Sequence, residues 1–102
     1  MAKESRTYPQ PVETVFREAQ GALRDAKFKI ESVDANASFI KAAAGVSLLS
    51  WGEGLKITVS KAHKGTSVCV AAEGRGPSYL TGGMGKAGKD IKKFFEALER
   101  RL

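Results

Sequence analysis

The sequence is short of the residues that build metal centres and disulfide frameworks. It contains one cysteine, Cys69, and one histidine, His63, in 102 residues. One cysteine forms no internal disulfide, and this usage is typical of proteins from reducing compartments. A transition-metal site needs several such ligands, so we expect none within one chain. No pair of nucleophile and base is visible either. These absences predict a protein with no metal, no cofactor and no enzymatic activity.

Long hydrophobic runs are missing as well. The longest uncharged run extends from Ala42 to Gly52 and is too short to span a bilayer. The first six residues are polar and lack the apolar stretch of a secretory signal. We therefore expect no transmembrane segment and a cytoplasmic location.

Positive charge, by contrast, is in excess. Seventeen lysines and arginines face eleven acids, which gives a net charge of +6 and a pI near 9.7. Such a balance favours acidic partners such as nucleic acid, anionic lipid or an acidic protein. It also keeps a small domain soluble, and the charge alone does not separate these alternatives. A chain of 102 residues has room for one hydrophobic core, so we predict a single domain over residues 1–102.

The spacing of apolar residues predicts two amphipathic helices. In the first, from Pro11 or Val12 to about Ala26, apolar residues recur at three- and four-residue steps. Gly21 lies inside this helix, either as a weak point or as a close approach to the sheet. The second helix is predicted from Lys86 to Leu102.

Four runs between the helices alternate apolar and polar residues, the pattern of strands with one covered face. They are predicted at residues 27–33, 38–44, 53–61 and 66–73, with a turn at residues 34–37 and a hairpin loop at residues 62–65. Ser5 to Tyr8 is predicted as a short edge strand. The fold class is therefore α+β: an antiparallel sheet of four to five strands with both helices on one face, in the order β-α-β-β-β-β-α. The predicted core consists of Phe16, Leu23, Ile30, Ile57, Val68, Val70, Ile91, Phe95 and Leu98.

A glycine-rich stretch before the last helix matches two phosphate-binding motifs. Gly83 to Gly88 fits G-x-G-x-x-G, and its extension to Lys89 fits G-x-x-x-x-G-K. The context contradicts both, because no parallel strand follows the helix and Asp90 stands where Ser or Thr would hold magnesium. We predict no nucleotide site. Two alternatives remain: a structural helix start, or an anion contact by Lys86 and Lys89.

The connection between the strands predicted at 38–44 and 53–61 is unusually apolar. It contains Leu48, Leu49 and Trp51, although connections are usually polar. These side chains either cap the end of the core or anchor a protein partner, a second copy of the chain, a lipid surface or an apolar ligand. The second alternative predicts a homo-oligomer or a protein complex.

Another candidate surface is basic. Lys29, Lys41 and Lys56 lie on the outward face of the predicted sheet, where Phe39 is the aromatic candidate for base stacking. From Lys86 onward, six lysines and arginines oppose three acids. These residues predict weak nucleic-acid binding that is insensitive to sequence, and a solvated charged surface is the alternative.

Several short motifs occur in an order that resembles a known family. They are Val15-Phe16, Phe28-Lys29-Ile30, Ile40-Lys41-Ala42, Ser50-Trp51-Gly52-Glu53, Gly65-Thr66-Ser67-Val68, Gly85-Lys86 and Phe94-Phe95. Over nearly the whole chain they are similar to a small uncharacterised bacterial domain that stands, in some proteins, beside a short C-terminal oligomerisation domain. The resemblance implies a β-α-β4-α arrangement like that of one repeat of the TATA-box-binding protein and of helix-grip domains. It implies no known activity, and a shared fold does not transfer one.

The sequence leaves the ligand, the oligomeric state and the pathway open. From the absence of catalytic residues we predict a small, non-enzymatic binding or interaction module. The alternative is a nucleic-acid-binding domain that uses the basic sheet face or the last helix.

Overall fold

Five strands and two helices follow one another in the predicted order. The computed structural model describes residues 2–44, 53–74 and 84–102, and the side chains of residues 3–43, 54–72 and 89–102. The elements are β1 (Ala2–Tyr8), α1 (Val12–Asp25), β2 (Lys29–Asp34), β3 (Phe39–Ala44), β4 (Glu53–Ala62), β5 (Gly65–Gly74) and α2 (Met84–Arg101). This arrangement confirms the α+β class.

The strands form one antiparallel sheet in the order β1-β5-β4-β3-β2. Strands β2 to β5 are neighbours both in sequence and in space, as in a meander of hairpins. β1 lies at one edge beside β5, whereas β2 lies at the other edge. Because α1 connects β1 to β2, it has to cross from one edge of the sheet to the other and covers one face on the way.

Both helices pack on that same face. α1 contacts β2, β4 and β5, and α2 contacts β1, β5 and α1. The predicted core is confirmed for Leu23, Ile57, Val68, Val70, Ile91, Phe95 and Leu98, which are all buried. The prediction is wrong in degree for Phe16 and Ile30, which are only partly buried and pack against the margin of the core. Ile30 lies on the edge strand β2, which has a neighbouring strand on one side only.

The end of α1 corrects one predicted strand boundary. Lys27 has a left-handed backbone with φ of 66°. Its N–H donates to the carbonyl of Arg24 at 3.0 Å, and the N–H of Phe28 donates to the carbonyl of Leu23 at 2.8 Å. These two bonds are those of a Schellman motif, which ends a helix. The strand predicted from Lys27 therefore begins at Lys29.

Gly21 permits a close approach, but to α2 and not to the sheet. A Cβ atom at Gly21 would lie 2.5 Å from the guanidinium carbon of Arg101. The Nε of Arg101 donates to Glu18 Oε1 at 2.9 Å, and its Nη1 donates to Asp25 Oδ2 at 2.8 Å. The missing side chain thus makes room for a double ion pair between the two helices.

Gly65 fits the predicted hairpin for two reasons. Its φ is 142°, a conformation that other residues rarely adopt, and a Cβ atom there would clash with the carbonyl oxygen of Tyr8. Next to it, the hydroxyl of Thr66 donates to the carbonyl of Gln10 at 2.6 Å. The side-chain amide of Gln10 in turn donates from Nε2 to the backbone carbonyl of Leu102 at 3.2 Å. These bonds connect the start of β5 with Gln10, which precedes α1, and with Leu102, which follows α2.

Two other boundaries differ from the prediction by two residues or more, and the remaining ones differ by at most one residue. β1 begins at Ala2 rather than at Ser5, and α2 begins at Met84 rather than at Lys86. Neither helix within the described residues carries an apolar stretch long enough to cross a bilayer.

Candidate functional site

Both helices pack on one face of the sheet, and no described element packs on the other, which we call the open face. Alternation along β1, β3, β4 and β5 places every second side chain there, and on β2 an irregularity between Ile30 and Ser32 shifts the alternation by one residue. These side chains are mostly small or charged. They are Lys3, Ser5 and Thr7 of β1; Ser67, Cys69 and Ala71 of β5; Lys56, Thr58 and Ser60 of β4; Phe39, Lys41 and Ala43 of β3; and Lys29, Ser32 and Asp34 of β2. Over the described side chains, the open face is therefore mostly polar.

The strand register aligns three lysines of the open face in one row. Lys3 pairs with Ala71, Ala71 with Lys56, Lys56 with Lys41, and Lys41 with Ser32. Residues directly opposite each other in an antiparallel pair have Cβ atoms about 4.5–5.5 Å apart, so Lys41 and Lys56 leave the sheet side by side. We call Lys3, Lys41 and Lys56 the lysine row.

The lysine row concentrates positive charge in an unfavourable arrangement. Lys41 stands directly opposite Lys56, and like charges in this position destabilise a sheet. All three side chains of the row are exposed. Lys56 has an interaction partner, whereas Lys3 and Lys41 take part in no ion pair with another described residue. Lys29, also exposed, extends the basic region towards β2.

Phe39 lies beside the lysine row on the same face. It pairs with Thr58 on one side and with Asp34 on the other. Its ring is partly exposed and is not part of the core cluster. Asp34 Oδ1 accepts hydrogen bonds from the N–H groups of Asn36 at 3.0 Å and Ala37 at 3.1 Å. These bonds direct the carboxylate into the turn, which confirms the turn predicted at residues 34–37.

The helix side of the sheet carries a different charge cluster. Arg6 donates from Nε to Glu4 Oε2 at 2.6 Å and from Nη1 to Glu99 Oε2 at 2.7 Å. The hydroxyl of Tyr8 donates to the same Glu99 oxygen at 2.8 Å. The guanidinium carbon of Arg6 also lies 4.6 Å from the centre of the Phe95 ring, a cation–π contact. We call Glu4, Arg6, Tyr8 and Glu99 the β1–α2 cluster.

Hydrogen bonding and burial shift the pKa values of Glu99, Arg6 and Tyr8 in directions that keep these groups hydrogen-bonded to one another. The bonds from Arg6 and then Tyr8 hold the pKa of Glu99 below its usual value. The bond to Glu99 raises the pKa of Arg6. Burial, followed by the bond to Glu99, raises the pKa of Tyr8. Near neutral pH the carboxylate stays charged and the phenol stays protonated, so the cluster connects two elements and leaves no group poised for proton transfer.

Sequence reasoning missed the β1–α2 cluster because its members are far apart in the chain. Arg6 and Glu99 are separated by 93 positions. No periodicity links a residue of the first strand to one of the last helix. The alternation of β1 gives no signal either, because charged residues occur on both of its faces: Lys3 on the open face, and Glu4 and Arg6 on the face of the buried valines Val70 and Val68.

Other candidate residues from the sequence are not brought into one site by the structure. Lys89 is exposed on α2, whereas the side chain of Lys86 lies outside the described residues. Leu48, Leu49 and Trp51 also lie outside them, so the choice between core cap and interface stays a prediction.

The residues with reactive side chains are scattered. His63 is exposed at the turn between β4 and β5, and Cys69 is partly buried in the middle of the open face. Over the described residues, no group of three or more His, Cys, Asp or Glu is arranged to hold a metal ion. Lys93 of α2 lies 5.7 Å from the centre of the Phe28 ring, so this cation packs against the protein itself.

Comparison with known proteins supplies a fold but no family. No family model and no curated protein matches the chain. The crystal structure of protein MLL2253 from Mesorhizobium loti is similar, with a TM-score of 0.65 at 16% identity over 97% of this chain and 93% of that one. TTHA0849 from Thermus thermophilus is similar with a TM-score of 0.56 at 16% identity, over 98% and 94%. At such identity the likeness shows the fold alone.

Proposed function

We propose that the protein is a small, cytoplasmic, non-enzymatic binding module whose open face binds the phosphate backbone of nucleic acid. The observation that carries this proposal is the lysine row, in which Lys41 directly faces Lys56 and Lys3 follows two strands away. Lysines that face one another lower the stability of the sheet, and a polyanion lying between them offsets their repulsion.

The chemistry of the open face favours weak binding without sequence preference. A lysine ammonium is a compact point charge that neutralises a phosphate but reads little of a base edge. Among its described side chains, the open face has no arginine, asparagine or glutamine for a bidentate contact with a base. Affinity should therefore come from counterion release and fall steeply as salt is added.

We also propose that the chain is a bacterial domain with the layout of one TATA-box-binding protein repeat or of a helix-grip domain. The order β-α-β-β-β-β-α and the likeness to proteins of two bacteria support this. In this proposal the layout provides a rigid scaffold, because paired strands hold the lysines at fixed separations.

The proposal is tested by removing the row's charge and measuring the salt dependence of binding. Fluorescence anisotropy with a labelled single-stranded oligonucleotide at several salt concentrations gives the slope of log K against log salt. For a variant carrying Lys41→Gln and Lys56→Gln, this slope should shrink by about 0.7 for each phosphate that the variant no longer neutralises. The matched control, Lys89→Gln with Lys92→Gln, removes the same charge from the exposed surface of α2.

The control variant decides where the site is. Weaker binding by the open-face variant alone supports the proposal. Equal losses in both variants would assign binding to net charge and contradict a specific face, and a loss in the α2 variant alone would move the site to the last helix. Affinity that survives high salt, or that differs strongly between sequences, would contradict the electrostatic mechanism.

A further inference from the structure

We infer that the nucleic acid bound by the open face is single-stranded and that one of its bases stacks on Phe39. This inference rests on the proposed function and adds a second kind of contact to it. Phe39 is the aromatic residue among the described open-face side chains, and it is partly exposed rather than packed into the core. A ring in such a position offers a π-face to a base.

The position of Phe39 relative to the lysines fits this contact. Phe39 and Lys41 are two residues apart on β3, so their Cα atoms lie about 6.7 Å apart and their side chains share a face. On β4, Thr58 stands opposite Phe39 and Lys56 stands opposite Lys41. The four side chains form a patch of two rows on two strands. A strand whose phosphates contact Lys41 and Lys56 brings a neighbouring base over the ring.

The described neighbours of Phe39 on the open face leave room for a base. Along its own row, the next side chains are those of Thr58 and Cys69, which are short. On the other side, Asp34 is held towards the turn by the N–H groups of Asn36 and Ala37. Because these neighbours are short and the carboxylate of Asp34 is bonded to the turn, the Phe39 ring is the largest apolar group among the described side chains of this face.

A duplex does not supply this contact. Its bases lie inside the helical stack, and bringing one out costs the free energy of unpairing and unstacking. An extended single strand presents phosphates and unstacked bases together, which is the combination that single-strand-binding surfaces use. Lysines beside an aromatic ring therefore favour a single strand over a duplex.

The experiment compares three probes by fluorescence anisotropy at one low salt concentration. They are a labelled single-stranded DNA of mixed sequence, an abasic strand with the same number of phosphates, and a blunt-ended duplex without unpaired bases. The abasic strand keeps the charge and removes the bases, so it separates stacking from phosphate contacts. Because a duplex has a higher charge density than a single strand, the effects of substitutions are compared rather than absolute affinities.

Three variants give the comparison its controls. Phe39→Leu removes the ring but keeps apolar bulk, and Phe39→Tyr restores an aromatic face. Val33→Ala removes a side chain that is 44% exposed on the edge strand β2, at the position paired with the inward residue Ile40. Circular dichroism of each variant verifies that the fold is kept, as expected for substitutions outside the core.

We expect Phe39→Leu to weaken binding of the base-containing single strand about 5-fold or more. The same change should leave the abasic strand and the duplex within about 2-fold, and Phe39→Tyr and Val33→Ala should bind like the unaltered protein. If Phe39→Leu weakens all three probes equally, or none, the stacking inference is overturned. The proposed function survives that result as long as Lys41→Gln with Lys56→Gln still weakens binding, so the two failures are distinguishable.

Discussion

The two faces of the sheet use charge in opposite ways. On the helix side, each of two arginines bonds two carboxylates: Arg6 those of Glu4 and Glu99, and Arg101 those of Glu18 and Asp25. On the open face, a lysine stands opposite a lysine, at Lys41 and Lys56. The first arrangement joins elements that are distant in the chain, whereas the second adds repulsion between two neighbouring strands.

This difference separates the charges that connect elements of the fold from those that we propose for binding. The planar guanidinium of arginine matches carboxylates in two directions, and here it connects β1 to α2 and α1 to α2. Lys41 and Lys56 carry like charges at directly opposed positions of neighbouring strands, an arrangement that disfavours the pairing of these strands. This unfavourable pairing is the reason that we propose a binding role for the open face.

The largest contrast between the faces is expected from truncating an aromatic side chain on each. Phe95 is fully buried under the helices, whereas Phe39 is partly exposed on the open face. Phe95→Ala should lower the free energy of unfolding by about 3–5 kcal/mol, because it leaves a cavity. Phe39→Ala should lower it by about 1 kcal/mol or less. Urea unfolding followed by circular dichroism measures both, and similar losses would contradict the separation of the two faces.

The helix side could be predicted from the sequence only as far as periodicity reaches. Apolar spacing placed both helices and the inward residues of β3 to β5, because burial imposes that spacing on each element separately. It failed at Lys27, where hydrogen bonds of a helix end replace a strand, since lysine gives no hint of a left-handed backbone. It also failed to find the ion pairs, because these depend on where elements meet.

The next prediction compares the effect of Gly21→Ala on stability in the presence and in the absence of the Arg101 ion pairs. Alanine is a better helix former than glycine by about 1 kcal/mol, so Gly21→Ala should stabilise α1 wherever space allows. In an Arg101→Ala background we expect a gain of about 0.5–1 kcal/mol. In the unaltered background the new methyl group displaces the guanidinium from Glu18 and Asp25, so the gain should be smaller or reversed.

A double-mutant cycle of thermal or urea unfolding measures this dependence on Arg101. Equal effects of Gly21→Ala in both backgrounds would mean that the guanidinium does not occupy the space above Gly21. Gln20→Ala is the control, because the side chain of Gln20 on the same helix donates to the carbonyl of Phe16, whereas Arg101 donates to Glu18 and Asp25.

On the open face, we expect that reversing one charge raises the stability, whereas on the helix side the loss of a charge lowers it. Lys41→Glu turns a like-charged cross-strand pair with Lys56 into an opposite-charged pair, which should raise the free energy of unfolding by about 0.2–1 kcal/mol. The same substitution should weaken nucleic-acid binding. Stability and binding measured on one preparation check both outcomes. A variant that loses stability would show that the facing lysines are not in repulsion, and one that binds as before would remove Lys41 from the site.

The candidate site was only partly predictable. Alternation on single strands placed Lys29, Lys41, Lys56 and Phe39 on one outward face. The sequence did not show that Lys41 stands opposite Lys56, or that Lys3 joins their row, because both facts depend on strand register and on β1 pairing with β5. Register is set by turns and by the packing of all strands together, so it appears only in the folded chain.

The smallest effect is expected from the pH dependence of the β1–α2 cluster. The hydrogen bonds from Arg6 and Tyr8 hold the pKa of Glu99 below its usual 4.5 in the folded chain. The folded state therefore binds this proton less readily than the unfolded state. The stability that Glu99 contributes is present above pH 4.5 and is lost as the pH falls through the lowered pKa. Since the side chain is 44% exposed, solvent screening keeps this contribution to about 1 kcal/mol or less.

Glu99→Gln tests this sign directly. The variant should be slightly less stable than the unaltered protein near neutral pH, and the difference between the two free energies of unfolding should shrink as acid is added. Glu96→Gln is the matched control, because Glu96 is exposed on the same helix and takes part in no ion pair with another described residue. The free energy of unfolding of Glu96→Gln should differ from that of the unaltered protein by an amount that does not shrink as acid is added. If the Glu99→Gln difference stays constant from neutral to acid pH, the carboxylate is not paired with Arg6 in solution, and the helix side loses one of the four ion pairs between Arg6 or Arg101 and carboxylates that distinguish it from the open face.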